Sequence, residues 1–160
     1  MQLRIKMRYI MKIYRICAIG HRYIDDPSLD TRIERCLTQL FEKHEFTEAF
    51  IGRNGDFDIS FASVFRKVRR NYNVENHRLT LVLPYNVKDE EFYSTYYDDI
   101  ILPISKKVHY KRAIIERNKW MVDKSDILFY YLTKKYGGAF RAVEYAKNQN
   151  KSGINLALIK

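Results

Sequence analysis

Short runs of β-branched and aromatic residues alternate along this chain with longer segments whose apolar positions recur at helical spacing, and no other feature constrains the fold as much. The runs at 13–19 (IYRICAI), 79–83 (LTLVL) and 127–132 (ILFYYL) are too short for helices and too apolar for loops. Between them, residues 57–72 place Phe61, Val64, Phe65 and Val68 on one helical face. Strands that alternate with helices make βαβ units, and such units build parallel sheets covered on both sides. The expectation is a three-layer, Rossmann-like α/β domain with a mostly parallel sheet of about five strands.

The expected strands lie at 13–19, 46–51, 79–83, 127–132 and 154–159, with a brief addition at 100–104. Helices are expected at 28–43, 57–72, 109–122 and 139–148. Residues 86–99 are rich in Asp, Glu and Tyr and follow no period, so they form an excursion or a short helix outside the sheet. Gly153 is expected to end the turn before the last strand.

At 160 residues and 46% hydrophobic content the chain can bury one continuous core. No repeat or linker divides it, so residues 11–160 are expected to form a single domain. Residues 1–10 read as a basic extension, or as sequence preceding a true start at Met11. No apolar run reaches the length of a membrane-spanning helix, and the basic first residues lack the apolar centre of a secretory signal, which points to the cytoplasm. Cys17 and Cys36 stand in apolar contexts without C-x-x-C spacing, as buried, reduced thiols do. His44, His77 and His109 are too scattered to indicate a metal site, and no cofactor is named by any motif.

The formal net charge is +10. Arg4, Lys6, Arg8, Lys12 and Arg15 crowd the start of the chain, and the remaining cations are interspersed with acids. Such a balance suits a solvated basic face as well as it suits a nucleic-acid partner.

Three turns carry glycine between a strand and a helix: Gly20, followed by His21 and Arg22; Gly52-Arg53-Asn54-Gly55, followed by Asp56; and Gly137-Gly138. In an open parallel sheet these turns meet at the carboxyl edge of the strands, where ligands bind. Glycine permits close backbone approach, and the free amides of a helix amino end favour an anion, phosphate above all. The dinucleotide fingerprint G-x-G-x-x-G is absent from the first turn, and no phosphate-loop motif G-x-x-x-x-G-K-[ST] occurs. Of Asp56 and Asp58, which flank Phe57, one is expected to cap the following helix and the other to face the crevice. Tyr85, Tyr130 and Tyr131 read as core residues or as surfaces for stacking a base. No Ser/His/Asp or Cys/His arrangement is apparent.

Four segments together carry a family resemblance: Cys17-Ala18-Ile19-Gly20-His21-Arg22, Gly52-Arg53-Asn54-Gly55-Asp56-Phe57-Asp58, Leu83-Pro84-Tyr85, and the stretch from Arg117-Asn118-Lys119-Trp120-Met121 to Asp126. The chain resembles the YpsA-like families of the SLOG superfamily, to which the Lonely Guy phosphoribohydrolases and DNA-processing protein A also belong. The resemblance covers about residues 11–160 and implies a Rossmannoid fold with a nucleotide-related ligand. Against the Lonely Guy pattern, Glu116-Arg117 and Met121 match its E-R-K-x-x-M, Asp126 its strand-opening Asp, Gly137-Gly138 its glycine pair, and Glu144 its glutamate. That match implies that Arg117 and Glu144 handle a phosphoribosyl group. Phe140 and Arg141 replace the pattern's Gly-Thr, and residues 133–136 lengthen the approach to the glycine pair. The departure argues for ligand binding without obligatory turnover.

The expected function is therefore binding of a nucleotide or nucleotide-derived signalling ligand at the three glycine turns, with Arg117 and Glu144 beside them. N-glycosidic hydrolysis of a nucleoside monophosphate by Arg117 and Glu144 is the enzymatic alternative, and single-stranded nucleic-acid binding is the third. A homo-oligomer is expected by the same resemblance, with the Tyr-rich segment 92–97 as a surface that a partner can cover.

Overall fold

The computed structural model describes residues 12–105 and 107–160. The basic extension assigned to residues 1–10 lies outside the described residues. Six strands and five α-helices alternate in this part of the chain. In order they are β1 (Tyr14–Gly20), α1 (Leu29–Lys43), β2 (Thr47–Ile51), α2 (Asp56–Arg69), β3 (His77–Val82), α3 (Glu90–Tyr96), β4 (Asp99–Ile101), α4 (Tyr110–Lys124), β5 (Ile127–Tyr131), α5 (Gly138–Asn148) and β6 (Ser152–Asn155). The sheet has the order β4-β3-β2-β1-β5-β6, and every pairing is parallel. It is thus an α/β three-layer, Rossmann-like fold, its six strands being the five expected and the brief addition, which forms the edge strand β4.

Side chains of a strand point alternately to the two faces, so each run of apolar residues feeds two cores. Ile16 and Ala18 of β1, Ala49 and Ile51 of β2 and Phe129 of β5 pack under α1 and α2. Cys17, Ile19, Phe50, Val82 and Leu128 face the other way, under α4 and α5. The first core is the larger. Phe57, Phe61 and Phe65 of α2 are fully enclosed there, one helical turn apart.

A buried polar knot joins α2 to β3. The His77 ring stacks on Phe41 at 4.0 Å and its Nδ1 lies 2.8 Å from the Thr47 hydroxyl. Arg69 donates to the His77 carbonyl (3.0 Å) and pairs with Asp98. The Asp98 carboxylate also accepts from the Leu79 amide at 2.7 Å.

Several expected boundaries shift, and three segments show the physical reasons. Residues 90–96 of the acidic, Tyr-rich stretch form the short helix α3, which leads to the edge strand β4. That strand ends at Ile101, whose carbonyl accepts from Leu83 N; Pro103, two residues on, has no N–H to extend the pairing. The last strand begins at Ser152, not Ile154. Asn150, at φ 55°, completes the turn after α5, so Gly153 falls inside the strand opposite Leu128. A Cβ at Gly153 would meet the Tyr130 ring at 2.9 Å, so close packing accounts for this glycine.

Candidate functional site

From β1 to β4 the chain steps across the sheet in one direction, then crosses back to place β5 on the free side of β1. At such a reversal the flanking loops part and leave a crevice beyond the carboxyl ends of the strands. A cleft of about 90 Å³ opens here, lined by Gly20 from β1, Gly52 after β2, Asp58 from α2, Arg117 and Asn118 from α4, and Gly138 from α5. It has room for a few water molecules or one phosphate-sized group, and a larger ligand would extend over the open rim. A wider hollow of about 420 Å³ lies at the opposite edge, among Arg15, Glu48 and Arg78. Three of its charges are already partnered, Arg15 with Glu48 at 3.1 Å and Arg78 with Asp99 at 3.6 Å. The small crevice is the candidate site because helix amino ends and strand carboxyl ends converge on it.

The glycines of the three turns serve different ends. A Cβ on Gly20 would fall 2.3 Å from Cγ of the buried Phe57, so this glycine admits a core ring as well as lining the crevice. A Cβ on Gly55 would stand 3.0 Å from the Arg22 Cα, and Asp56 N donates to the Arg22 carbonyl at 2.8 Å, which locks the first two turns together. Gly137 adopts φ 96° and ψ −179° ahead of α5, a conformation almost confined to glycine. Nothing approaches Gly137 or Gly138 within 4 Å on the side where a side chain would project, and no side chain caps α5. The first residues of α5, Gly138 and Ala139, line the crevice, and a helix amino end without a side-chain cap suits an anion.

Arg117 and Asp58 reach the crevice from opposite sides. Arg117 donates from Nη1 to the Val82 carbonyl at the end of β3 (2.8 Å) and from Nε to Asn118 Oδ1 (2.9 Å). It pairs with neither Glu116 nor Asp123. Asp58 accepts from the Asn54 amide at 3.2 Å, the backward reach of an acid in the first turn of a helix. Burial pushes the Asp58 carboxyl up to about 6, against the pull of Arg117 and of the Asn54 and Gly55 amides. Burial also lowers the Arg117 pKa, and the charge of Asp58 opposes that shift. Asp58 is thus the crevice-facing acid of the pair, and Asp56 instead accepts from the Ile24 amide at 2.8 Å.

The remaining predicted residues divide between rim and elsewhere. The His21 Nε2 accepts from Thr133 N at 2.9 Å, joining the ends of β1 and β5, and burial with nearby Lys134 lowers its pKa. Arg22 is exposed on the rim beside Tyr23. Arg53 turns outward from β2 to donate to the Tyr93 hydroxyl at 3.0 Å and to cover that ring. Asn54 contributes its backbone amide. Glu144 is not brought to the crevice; it lies on α5 with its carboxylate 3.3 Å from Lys147. Tyr131 donates to Asp26 and Tyr130 covers Gly153, so neither presents a free ring. Among the described residues no group of three or more His, Cys, Asp or Glu is placed to hold a metal ion, and no helix is long and apolar enough to cross a membrane.

No protein-family model matches the chain, and no curated protein matches it in sequence. Solved structures do. DNA processing protein A from Streptococcus pneumoniae aligns with a TM-score of 0.62 at 12% identity, over 88% of this chain and 49% of that one. The molybdenum cofactor binding protein of the phototrophic bacterium Rippkaea orientalis aligns at 0.59 and 19% identity, over 91% and 77%. DNA processing protein A from Helicobacter pylori, solved for its single-stranded DNA binding mode, aligns at 0.60 and 11%, over 88% and 63%. This chain therefore spans about half the length of the pneumococcal protein. At these identities the likeness establishes architecture alone, the Rossmann-like α/β fold that this chain shares with these proteins.

Proposed function

We propose that this protein binds a nucleotide or nucleotide-derived signalling ligand, with a phosphate in the crevice between Gly52, Arg117 and Gly138 and the rest of the ligand along the rim formed by His21, Arg22 and Arg53. One observation carries this reading: the Arg117 guanidinium is held at the carboxyl edge of the sheet without a carboxylate partner, across from the uncapped amino end of α5. A guanidinium and free amides converging on one cleft are complementary to phosphate. The YpsA-like resemblance, a homo-oligomeric state and a cytoplasmic setting belong to the same reading.

The test is a thermal-shift series with AMP, ADP, ADP-ribose, cyclic ADP-ribose and NAD on the wild type and on Arg117→Lys. A ligand of the folded state raises the melting temperature, by an amount equivalent to about 2.7 kcal/mol at a hundredfold excess over Kd. The shift should vanish or shrink in Arg117→Lys, which keeps the charge but loses the two-pronged contact. No shift with any compound, in folded protein free of carried-over ligand, would overturn the reading.

Fold likeness to the single-stranded DNA-binding protein of H. pylori and the net charge of +10 favour a second reading, that the rim takes a nucleic-acid strand. It requires oligonucleotide affinity that falls steeply with salt, as released counterions dictate. The hydrolytic alternative has less support, since Glu144 faces Lys147 and not the crevice.

A further inference from the structure

Between the end of β5 and the start of α5 the chain crosses the rim through residues 133–136, all of them exposed. Leu132, before them, is pinned on both backbone groups by the side chain of Asn155, at 3.1 and 3.0 Å. Gly137, after them, accepts from Arg141 N at 3.1 Å and so belongs to the start of α5. Among the described residues, a single hydrogen bond ties the intervening segment to the rest of the molecule: Thr133 N donates to His21 Nε2 at 2.9 Å. Lys134 lies over the Tyr136 ring at 5.8 Å, a contact within the segment that anchors it to nothing else. A ring nitrogen accepts a hydrogen bond only while it lacks a proton, so this tether requires neutral imidazole with its proton on Nδ1. Protonation makes Nε2 a second donor facing the Thr133 N–H and adds a positive charge close to Lys134. In that state the bond is lost.

We propose that residues 133–136 form a strap fastened to the end of β1 by His21, and that protonation of His21 releases it. This device works whatever occupies the crevice, so it stands apart from the phosphate reading. The strap leads into Gly137 and Gly138, and Gly138 lines the crevice, so its release acts on the amino end of α5. It also carries Lys134, Lys135 and Tyr136, whose places along the rim follow from whether it is fastened. Tyr131 of β5 meets the His21 ring edge to face at 6.3 Å. Burial and the bond to Asp26 raise the Tyr131 pKa, so that group stays protonated from acid to neutral pH. Lys134 supplies positive charge from the strap itself, and Arg22, next in the chain, lies beside Tyr23. The turn before α2 approaches residue 21 through backbone, at the His21 carbonyl. Burial first, and then Lys134, hold the His21 pKa below its ordinary 6.5. The strap is therefore fastened at neutral pH and opens in acid, below that value.

Nuclear magnetic resonance of the whole chain between about pH 8 and about pH 5 tests the proposal, on the wild type and on His21→Gln. The buried His77, at about 4, titrates below this range. At the alkaline end the His21 proton is expected on Nδ1. As the pH falls, protection of the Thr133 amide from hydrogen exchange should drop about three- to tenfold, the scale of one neutral hydrogen bond, with the midpoint of the His21 ring. Asp58 also titrates, at about 6, and His21→Gln separates the two because it leaves Asp58 in place. The glutamine Oε1 can accept from Thr133 N without titrating, so protection in this variant should change by less than about twofold. Protection that stays constant through the wild-type His21 midpoint, a proton found on Nε2 at the alkaline end, or an acid-induced loss kept in His21→Gln overturns the strap. The first two outcomes are read on the wild type and decide the question even where the variant does not fold.

Discussion

Asp58 and His77 titrate over neighbouring pH ranges with opposite consequences for stability. Burial raises the Asp58 carboxyl from 3.8 to about 6, so between those values the folded protein binds a proton that the unfolded chain has released. Its contribution to stability is present in acid and is lost as pH rises toward 6. His77 is pushed down to about 4, by burial first and then by Arg69, so between pH 4 and 6.5 the unfolded chain binds the proton instead. That contribution is present above 6.5 and is lost as pH falls through the window. Asp58→Asn removes the first effect and leaves the second. The variant should gain about 1–3 kcal/mol at pH 7 and lose stability more steeply on acidification than the wild type, as read from urea midpoints between pH 7 and 4. At this scale the sequence disclosed residue types more readily than their roles. Arg117 was legible as a ligand candidate within its motif. Which of Asp56 and Asp58 faces inward was not, because two acids two positions apart differ only in helical phase, and that phase is set where Gly55 begins α2 against Arg22.

Among the elements, the three glycine turns show how one signal covers several physical causes. Gly137→Ala should cost about 1–3 kcal/mol, because φ 96° with ψ −179° is strained for any residue bearing a Cβ. Gly138→Ala, which has nothing within 4 Å and no positive φ, should be nearly neutral or slightly stabilising in the same urea titration. Gly20→Ala drives a methyl group to 2.3 Å from the Phe57 Cγ and should destabilise by about 1–3 kcal/mol, and combined with Phe57→Ala, which removes that Cγ, it should cost less than the sum of the two single changes. Chemical denaturation of the single and double variants checks the coupling. The doublet at 137–138 was readable as a helix start because glycine there is a local signal. The requirement at Gly20 was not, because its cause is a ring on another element. The last strand was displaced for a related reason: IleAsnLeuAlaLeuIle is as apolar as a strand, but the turn completed at Asn150 starts the pairing with β5 two residues earlier than the pattern suggests.

Over the whole molecule, two apolar layers share one sheet, so damage to one should be felt in the other. Phe61 is fully buried under α2, while Trp120, the sole tryptophan, packs against Phe50 on the opposite face at 5.2 Å. Phe61→Ala should destabilise by about 3–5 kcal/mol. Urea curves from backbone circular dichroism and from Trp120 fluorescence should shift together; separate midpoints would mean that the layers unfold independently. The alternation of strand-like and helix-like runs determined the fold class, and with it the edge where glycine turns gather, because both are properties of contiguous sequence. The strand order, the reversal between β1 and β5, and the meeting of Asp58 with Arg117 across Gly52 were decided by the tertiary structure. Each joins residues distant along the chain, and periodicity within a segment carries no information about which segments become neighbours.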